Sequence, residues 1–591
     1  MQITIYPIVM TIKQYSSTSG PAMLQDAPYS ISRNACRAIE TLLEASSSEI
    51  PVEFSLYARD VVFDGRSVTG DSVCLPCPLR QQEAFAGLKG LEGCAVAAIA
   101  DLQRKDYCGK ITVNLERVTC FLMSAYITTL DGLDKYNPKI SHRLPATDLH
   151  DAQSILYRRL SAGCYETRNP GTFYHIHGSL DASTTLSMIG LPPFCPSLTD
   201  YGQCIKTIEN AVKRFSTAEL ELRNQRFRQA GTIVLTKEQY KETPHGRVMN
   251  SLPPFTVRPL ELTTPPIPFM DSDNSTELFQ CLRGVRVIEL CRVIAGPTIG
   301  RSLAAHGASV LKVTSPQLPD VPFFQLDVNA GKHTTSLHLK NPADRAVFEV
   351  LLTTADVILD GYRPSVITRL GYSPEVLAAK ASQRGRGIVY VAEDCFGGSG
   401  IPGAEWASRA GWQQIADCVT GVAWEQGSFM GLDEPVVPPF PMSDYGTGIL
   451  GTIAALSGLH RRATRGGSWM CKTSLSQYNL FLLSLGSYPE KVQDELRHLH
   501  DAQFFALRHS DSVDEVGKRA LRSIRRLHPS LFADCMMQSA YSPGFGGVVR
   551  RPREALEIQG LRIGHVRATR PNGFDAPTWE GWEEDKALLD G

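Results

Sequence analysis

The chain has 591 residues, with 60 Lys and Arg against 61 Asp and Glu and a formal net charge of -1, so no charge surplus draws it to nucleic acid or to an anionic lipid surface. Hydrophobic residues make up 43% and charged residues 20%, ordinary usage for a soluble globular protein, and no run of about 18 uninterrupted apolar residues exists to span a bilayer. At roughly 150 residues per domain, the length leaves room for about four domains, or for two large ones with insertions.

Taken in chain order, QITIYPIVMTI lacks a basic n-region and a small-residue cleavage site and is interrupted by Pro7, so it does not read as a secretory leader. The last residues, LLDG, carry no peroxisomal tripeptide, and the expected compartment is the cytoplasm. Cys74 and Cys77 of CLPC are the only close pair among 15 scattered cysteines, which read as reduced core residues. The stretch EAFAGLKGLEGCAVAAIADLQ has the small-residue periodicity of a closely packed helix. His175 and His177 in YHIHG share one face of a strand, as do His498 and His500 in RHLHD. Neither pair has a carboxylate or Cys at metal-ligand spacing, so structural histidines and no metal are expected.

Between Ser251 and Ser275 repeated Pro removes amide donors and fixes φ, which marks a linker. The cleanest pattern follows it. GVRVIEL reads as a buried strand, AGPTIGRSLAAHG as a helix with Pro297 in its first turn and Gly307 at its end, and ASVLKV as a second strand. Apolar runs at ADVILD and GIVYVAED continue the alternation, which predicts an α/β fold with a Rossmann-like parallel sheet covered by helices. The expected division is residues 1–250, a 251–275 linker, a 276–485 core and a 486–591 α/β extension.

Two stretches share an order of features. From Gly87 and again from Gly446, a Gly-containing apolar helix leads through a basic turn ending in Gly to a short strand and a second apolar helix. Duplication of one unit explains this, although two packed helical hairpins of separate origin would look similar.

From Leu282 onward, LRGVRVIELCRVIAGPTIGRSLAAHGASVLKV, NAGKHTTSLHLKNPADR, ADVILDGYRPSVITRLGYSPEVL, CFGGSG and SDYGTGILGTIAAL together resemble the family III CoA-transferases, the CaiB/BaiF family, to about Leu485. Residues 80 to 260 resemble a diverged copy of the family's later half. The resemblance implies a large domain with a Rossmann-like sheet plus a smaller α/β domain, arranged as a fused, interlocked pseudo-dimer, and it leaves open whether the chain also forms a homodimer. It further implies coenzyme A, carried as an acyl-CoA substrate, and carboxylic acids as partners. The fused layout is similar to members from filamentous fungi, which implies a place in secondary metabolism.

The same resemblance assigns residues. A CoA site needs cations and backbone amides for phosphate, and Arg292, Lys332 and Arg363 stand in the family's CoA-contacting loops, with Gly397 of CFGGSG where the backbone meets thioester or pantetheine. After ASVLKV, where the family supplies an acidic and then a basic or proline residue, Thr314, Ser315 and Pro316 follow. The family's transfer uses an Asp that attacks the thioester carbonyl. The matching stretch is taken as AGWQQIADCVTG, which places Gln413 at the Asp position, and a neutral carboxamide cannot be that nucleophile. Asp417, four residues on, shares a helical face with Gln413. The racemase branch's downstream carboxylate is retained as Asp444 in SDYGTG, while Trp412 replaces that branch's His. Expected activity is CoA transfer between carboxylic acids with an altered catalytic position. The alternatives are an epimerase with Asp444 as base, or a non-catalytic CoA-binding protein.

Overall fold

Past residue 282 the apolar, β-branched runs become strands of one sheet, because a strand covered by helices on both faces must be apolar along its length. The computed structural model describes residues 29–65, 71–104, 109–270 and 278–582. QITIYPIVMTI, LLDG and positions 271–275 of the expected linker lie outside these residues.

In chain order the first unit holds α1 (Ile31–Ala45), β1 (Val61–Asp64), α2 (Gln81–Gln103), β2 (Ile111–Asn114) and α3 (Leu115–Leu122), and β3 (Phe255–Glu261) follows. The second begins with β4 (Arg286–Leu290), α4 (Ala295–Ala305), β5 (Ser309–Thr314), β6 (His333–Ser336), β7 (Val357–Asp360) and β8 (Val389–Asp394). It continues with α5 (Gln413–Thr420), α6 (Met442–Arg465), β9 (Ser468–Ser474) and α7 (Leu475–Ser484), and β10 (Leu556–Ile558) lies near the C-terminus.

The main sheet has seven strands in the order β6-β5-β4-β7-β8-β9-β3. Every neighbouring pair is parallel except β9 with β3. The order reverses between β4 and β7, whose ends Leu290 and Asp360 are directly paired. That reversal is the switch point where open α/β sheets leave a crevice for ligands.

The stretch expected as a linker is in part a strand. β3 occupies the edge of the main sheet, where Pro259 is tolerated because an edge strand does not need every amide. The small sheet repeats the arrangement, with β1 parallel to β2 and β10 antiparallel to β2. Each sheet is therefore closed by a strand from the other side of the chain. β3 crosses from the first unit to pair with β9, and β10 returns from the C-terminal side to pair with β2. The two units are interlocked.

Their helices correspond as well. Asn114 ends β2 and caps α3, its side chain accepting from the Arg117 amide, and Ser474 ends β9 and caps α7 in the same way through Gln477. A Cβ on Gly448 would lie 2.5 Å from Thr298 Cβ, so α6 is in backbone contact with α4. At the matching turn of α2, a Cβ on Gly87 would lie 2.8 Å from Ala38 Cβ of α1. This contact fixes the start of α6 beside the loop that follows β4.

Candidate functional site

The carboxyl ends of β4, β7, β8 and β9 deliver their loops to one edge of the sheet. Between them lies a cleft of about 680 Å³, walled by Arg292, Val293 and Ile294 after β4, Tyr362 and Arg363 after β7, and Glu393 and Asp394 of β8, with Asp444 among the remaining lining residues. A second cleft, also about 680 Å³, backs onto it and shares Val293, Ile294, Trp412 and Asp444. Val293 has φ +68, a left-handed conformation that is costly for a β-branched residue and concentrates at functional sites.

Asp444 stands in the first turn of α6, where the helix N-terminus favours an anion. It has no hydrogen bond or ion pair among the described residues. Burial, and then the nearby Asp417, hold its carboxyl well above the usual range. Glu393 beside it is raised by burial and by Asp394, Asp444 and Asp360, and burial pushes Asp360 and Asp394 each up to about 6.

Asp417 and Gln413 form a closed network. The Gln413 amide donates to Asp417 Oδ2 (2.9 Å) and to the Phe440 carbonyl (3.1 Å), and Ser443 Oγ (2.8 Å) and Asn479 Nδ2 (2.9 Å) both donate to Asp417 Oδ1. Asp417 is fully buried, which raises it to about 6. Three donors hold it in place on the lining that it shares with Asp444.

The cation expectations divide. Arg292 donates to the Pro319 carbonyl (2.9 Å) and lies 5.5 Å from the Tyr362 ring centroid. Arg363 is exposed and donates to the Arg228 carbonyl (3.2 Å). Desolvation and then Arg292 hold Arg363 below its ordinary range, and neither arginine has a carboxylate partner among the described residues. Lys332 requires a correction. It is fully buried, with Nζ 2.6 Å from Glu289 Oε2 and 2.6 Å from the Pro297 carbonyl, and burial lowers it to about 8. Its charge neutralises a core carboxylate and is not presented to a phosphate. Gly397 is not among the residues lining the first cleft. Its φ is +73, and a Cβ there would lie 2.4 Å from Met249 Cε, so it packs against a side chain and lines a neighbouring groove with Ser399, Lys472 and Asp394, the last shared with the first cleft.

A third cleft opens across the ends of β4, β5 and β7. It has an apolar floor of Leu290, Val313, Leu337 and Leu370, carries Lys340 and Arg369, and shares Arg292, Tyr362 and Arg363 with the first. The residues that sequence reasoning missed are Glu393, Asp394, Arg369 and the first-unit side chains of the second cleft. Of these, His177 was singled out in the sequence but given a purely structural role. No group of three or more metal-ligating side chains occurs among the described residues, and none of their helices is long and apolar enough to cross a membrane.

A parallel sheet whose switch point carries an unpaired carboxylate between joined clefts has the build of an α/β enzyme. The model of CoA-transferase family III matches residues 282–496. An "Acetyl-coenzyme A transferase nodX" of Hypoxylon pulicicidum is 32% identical over 547 residues, covering 90% of both chains. An "Acyl-CoA transferase" of Gibberella moniliformis is 30% identical, over 80% of this chain and 82% of its own. A solved CAIB/BAIF family protein from Brucella suis is 26% identical over 35% of this chain and 56% of its own, with a TM-score of 0.29. The chain belongs to CoA-transferase family III.

Proposed function

We propose that this enzyme moves coenzyme A between carboxylic acids with Asp444 as its nucleophile. The observation that carries the reading is the position of Asp444, unpaired on the wall common to two clefts. Gln413 has no negative charge, and both oxygens of Asp417 are occupied.

The third cleft suits a nucleotide, with apolar side chains for the base and arginines for phosphate. Arg292 and Arg363 at its junction with the first cleft would steer the pantetheine arm toward Asp444. The ionised Asp444 oxygen attacks the thioester carbonyl, forming a mixed anhydride and releasing CoA thiolate. The thiolate then attacks the Asp444 carbonyl, leaving an Asp444–CoA thioester and freeing the first acid as its carboxylate. The acceptor carboxylate repeats these two steps in reverse, which regenerates Asp444 and yields the new acyl-CoA. The raised pKa of Asp444 strengthens its oxygen as a nucleophile once it is ionised, and the α6 N-terminus eases that ionisation.

Incubation with an acyl-CoA, followed by hydroxylamine treatment and peptide mass spectrometry, tests this. The expected result is hydroxamate at residue 444, absent in Asp444→Asn. Washing of solvent deuterium into the α-carbon with no adduct would sink the transfer reading in favour of proton exchange.

A further inference from the structure

The second cleft is the less usual of the two that meet at Asp444. Its walls come from both interlocked units, with Tyr126, Arg159 and His177 facing Phe324, Trp412 and Phe440. Trp412 is held flat in the shared wall, its Nε1 donating to Ser179 Oγ (3.0 Å) and its ring stacked on His177 at 5.7 Å. Two further lining residues, Ser179 and Phe440, have φ +52 and +65, so with Val293 three left-handed non-glycine residues shape this space.

Arg159 is the only Lys or Arg on the lining among the described residues, and Lys135 lies behind the lining, its Nζ 4.1 Å from the Tyr126 and 5.2 Å from the Phe324 ring centroid. Arg159 Nε lies 3.0 Å from Asp514 Oδ2, and Lys135 sits 2.5 Å from the other oxygen of the same Asp. His177 is held well below its usual range by burial, then by His175 and Arg159, and so is neutral. Its Nδ1 accepts from the Ser179 amide (2.9 Å). The other ionisable groups on the lining are Asp417 and Asp444, both acidic. Two cations, Arg159 and Lys135, thus stand against three acids, Asp514, Asp417 and Asp444, so a ligand's second carboxylate would be desolvated without a surplus cation to pair with, which is costly. Rings and alkyl groups would instead meet aromatic faces and apolar side chains.

We propose that this second cleft seats the body of the carboxylic acid that exchanges CoA, and that the acid is a largely apolar monocarboxylate carrying an aromatic ring. The inference rests on Asp444 being the reacting group. The acid's one carboxyl reaches the shared wall, while its ring system lies between Trp412, Phe324 and Tyr126. Small diacids such as oxalate and succinate are poor substrates.

Calorimetry on the full chain with 2-naphthylacetate, oxalate and succinate tests the assignment, together with Val321→Trp and Val513→Trp, two half-buried lining positions on different stretches of the wall. The expected result is that naphthylacetate binds, that neither diacid displaces it, and that at least one folded tryptophan variant weakens it tenfold or more. Tighter binding of either diacid, or unchanged naphthylacetate affinity in both variants with native-like melting curves, overturns the proposal. Loss of folding in both variants leaves the decision to the wild-type competition between naphthylacetate and the diacids. An adduct at residue 444 without naphthylacetate binding sinks this inference alone. Naphthylacetate binding without any adduct sinks the transfer reading and keeps the cleft assignment.

Discussion

The helices α2 and α6 are counterparts in the two units, and each carries a carboxylate as its third residue, Glu83 in one and Asp444 in the other. Glu83 accepts from the hydroxyls of Tyr29 (2.7 Å) and Tyr488 (2.9 Å) and is fully buried, with a carboxyl raised by burial to about 7. Asp444 has no donor among the described residues and opens on two clefts. The same element therefore gives a sealed structural acid in the first unit and a reachable one in the second. What makes the difference is the rest of the unit. β1 and β2 belong to a three-stranded sheet, whereas β8 and β9 continue into seven strands with a switch point.

The strongest way to break this comparison is to exchange the two acids' fates. Asp444→Asn should lower transfer by at least about 10³-fold, the scale expected when a covalent nucleophile is lost. Glu83→Gln should stay within about threefold. A steady-state assay of both variants decides, and a comparable loss in Glu83→Gln would give the first unit a catalytic share.

Interlocking makes a second prediction. Because β3 and β10 close each other's units, fragments 1–250 and 276–591 expressed separately should each lack cooperative unfolding. A sharp melting transition in the N-terminal fragment alone would contradict the exchange.

Two cations of the second unit can be separated in the same spirit. Lys332→Met breaks a buried pair with Glu289 and should cost about 3–5 kcal/mol of stability in denaturant unfolding. Arg363→Ala should leave stability within about 0.5 kcal/mol yet weaken CoA by about 1.5–3 kcal/mol in calorimetry. Reversed effects would return Lys332 to the phosphate site.

The smallest effect concerns pH. Asp444 must be ionised to attack, and its carboxyl is raised, so adduct formation should increase with pH along a limb lying above the usual carboxylate range. Asp417 is the second cause of that rise. Asp417→Asn should therefore move the limb to lower pH by about half to one pH unit, measured as the adduct rate across a pH series. An unmoved limb would remove the coupling between the two acids.

Much of this was legible in the residues. GVRVIEL, ASVLKV, ADVILD and GIVYVAED become β4, β5, β7 and β8, and AGPTIGRSLAAHG becomes α4, because periodicity and breakers report local burial directly. Asp444 was also legible, as an acid at a helix start within a family motif. The sequence could not say that the Gln413 amide is turned onto Asp417 and Phe440.

The sequence by itself thus determined the elements of the second unit, their parallel α/β class and an acid at the start of α6, since these depend on neighbours a few residues apart. Tertiary structure alone decided the rest. It turned Lys332 inward to Glu289, made an edge strand of a Pro-rich stretch, sealed Glu83 with Tyr29 and Tyr488, and built the second cleft from side chains as distant as Tyr126 and Val513. Local pattern sets which face of an element is apolar. It carries no record of which distant segment lies against that face, and here that choice separates the sealed Glu83 from Asp444, which opens on two clefts.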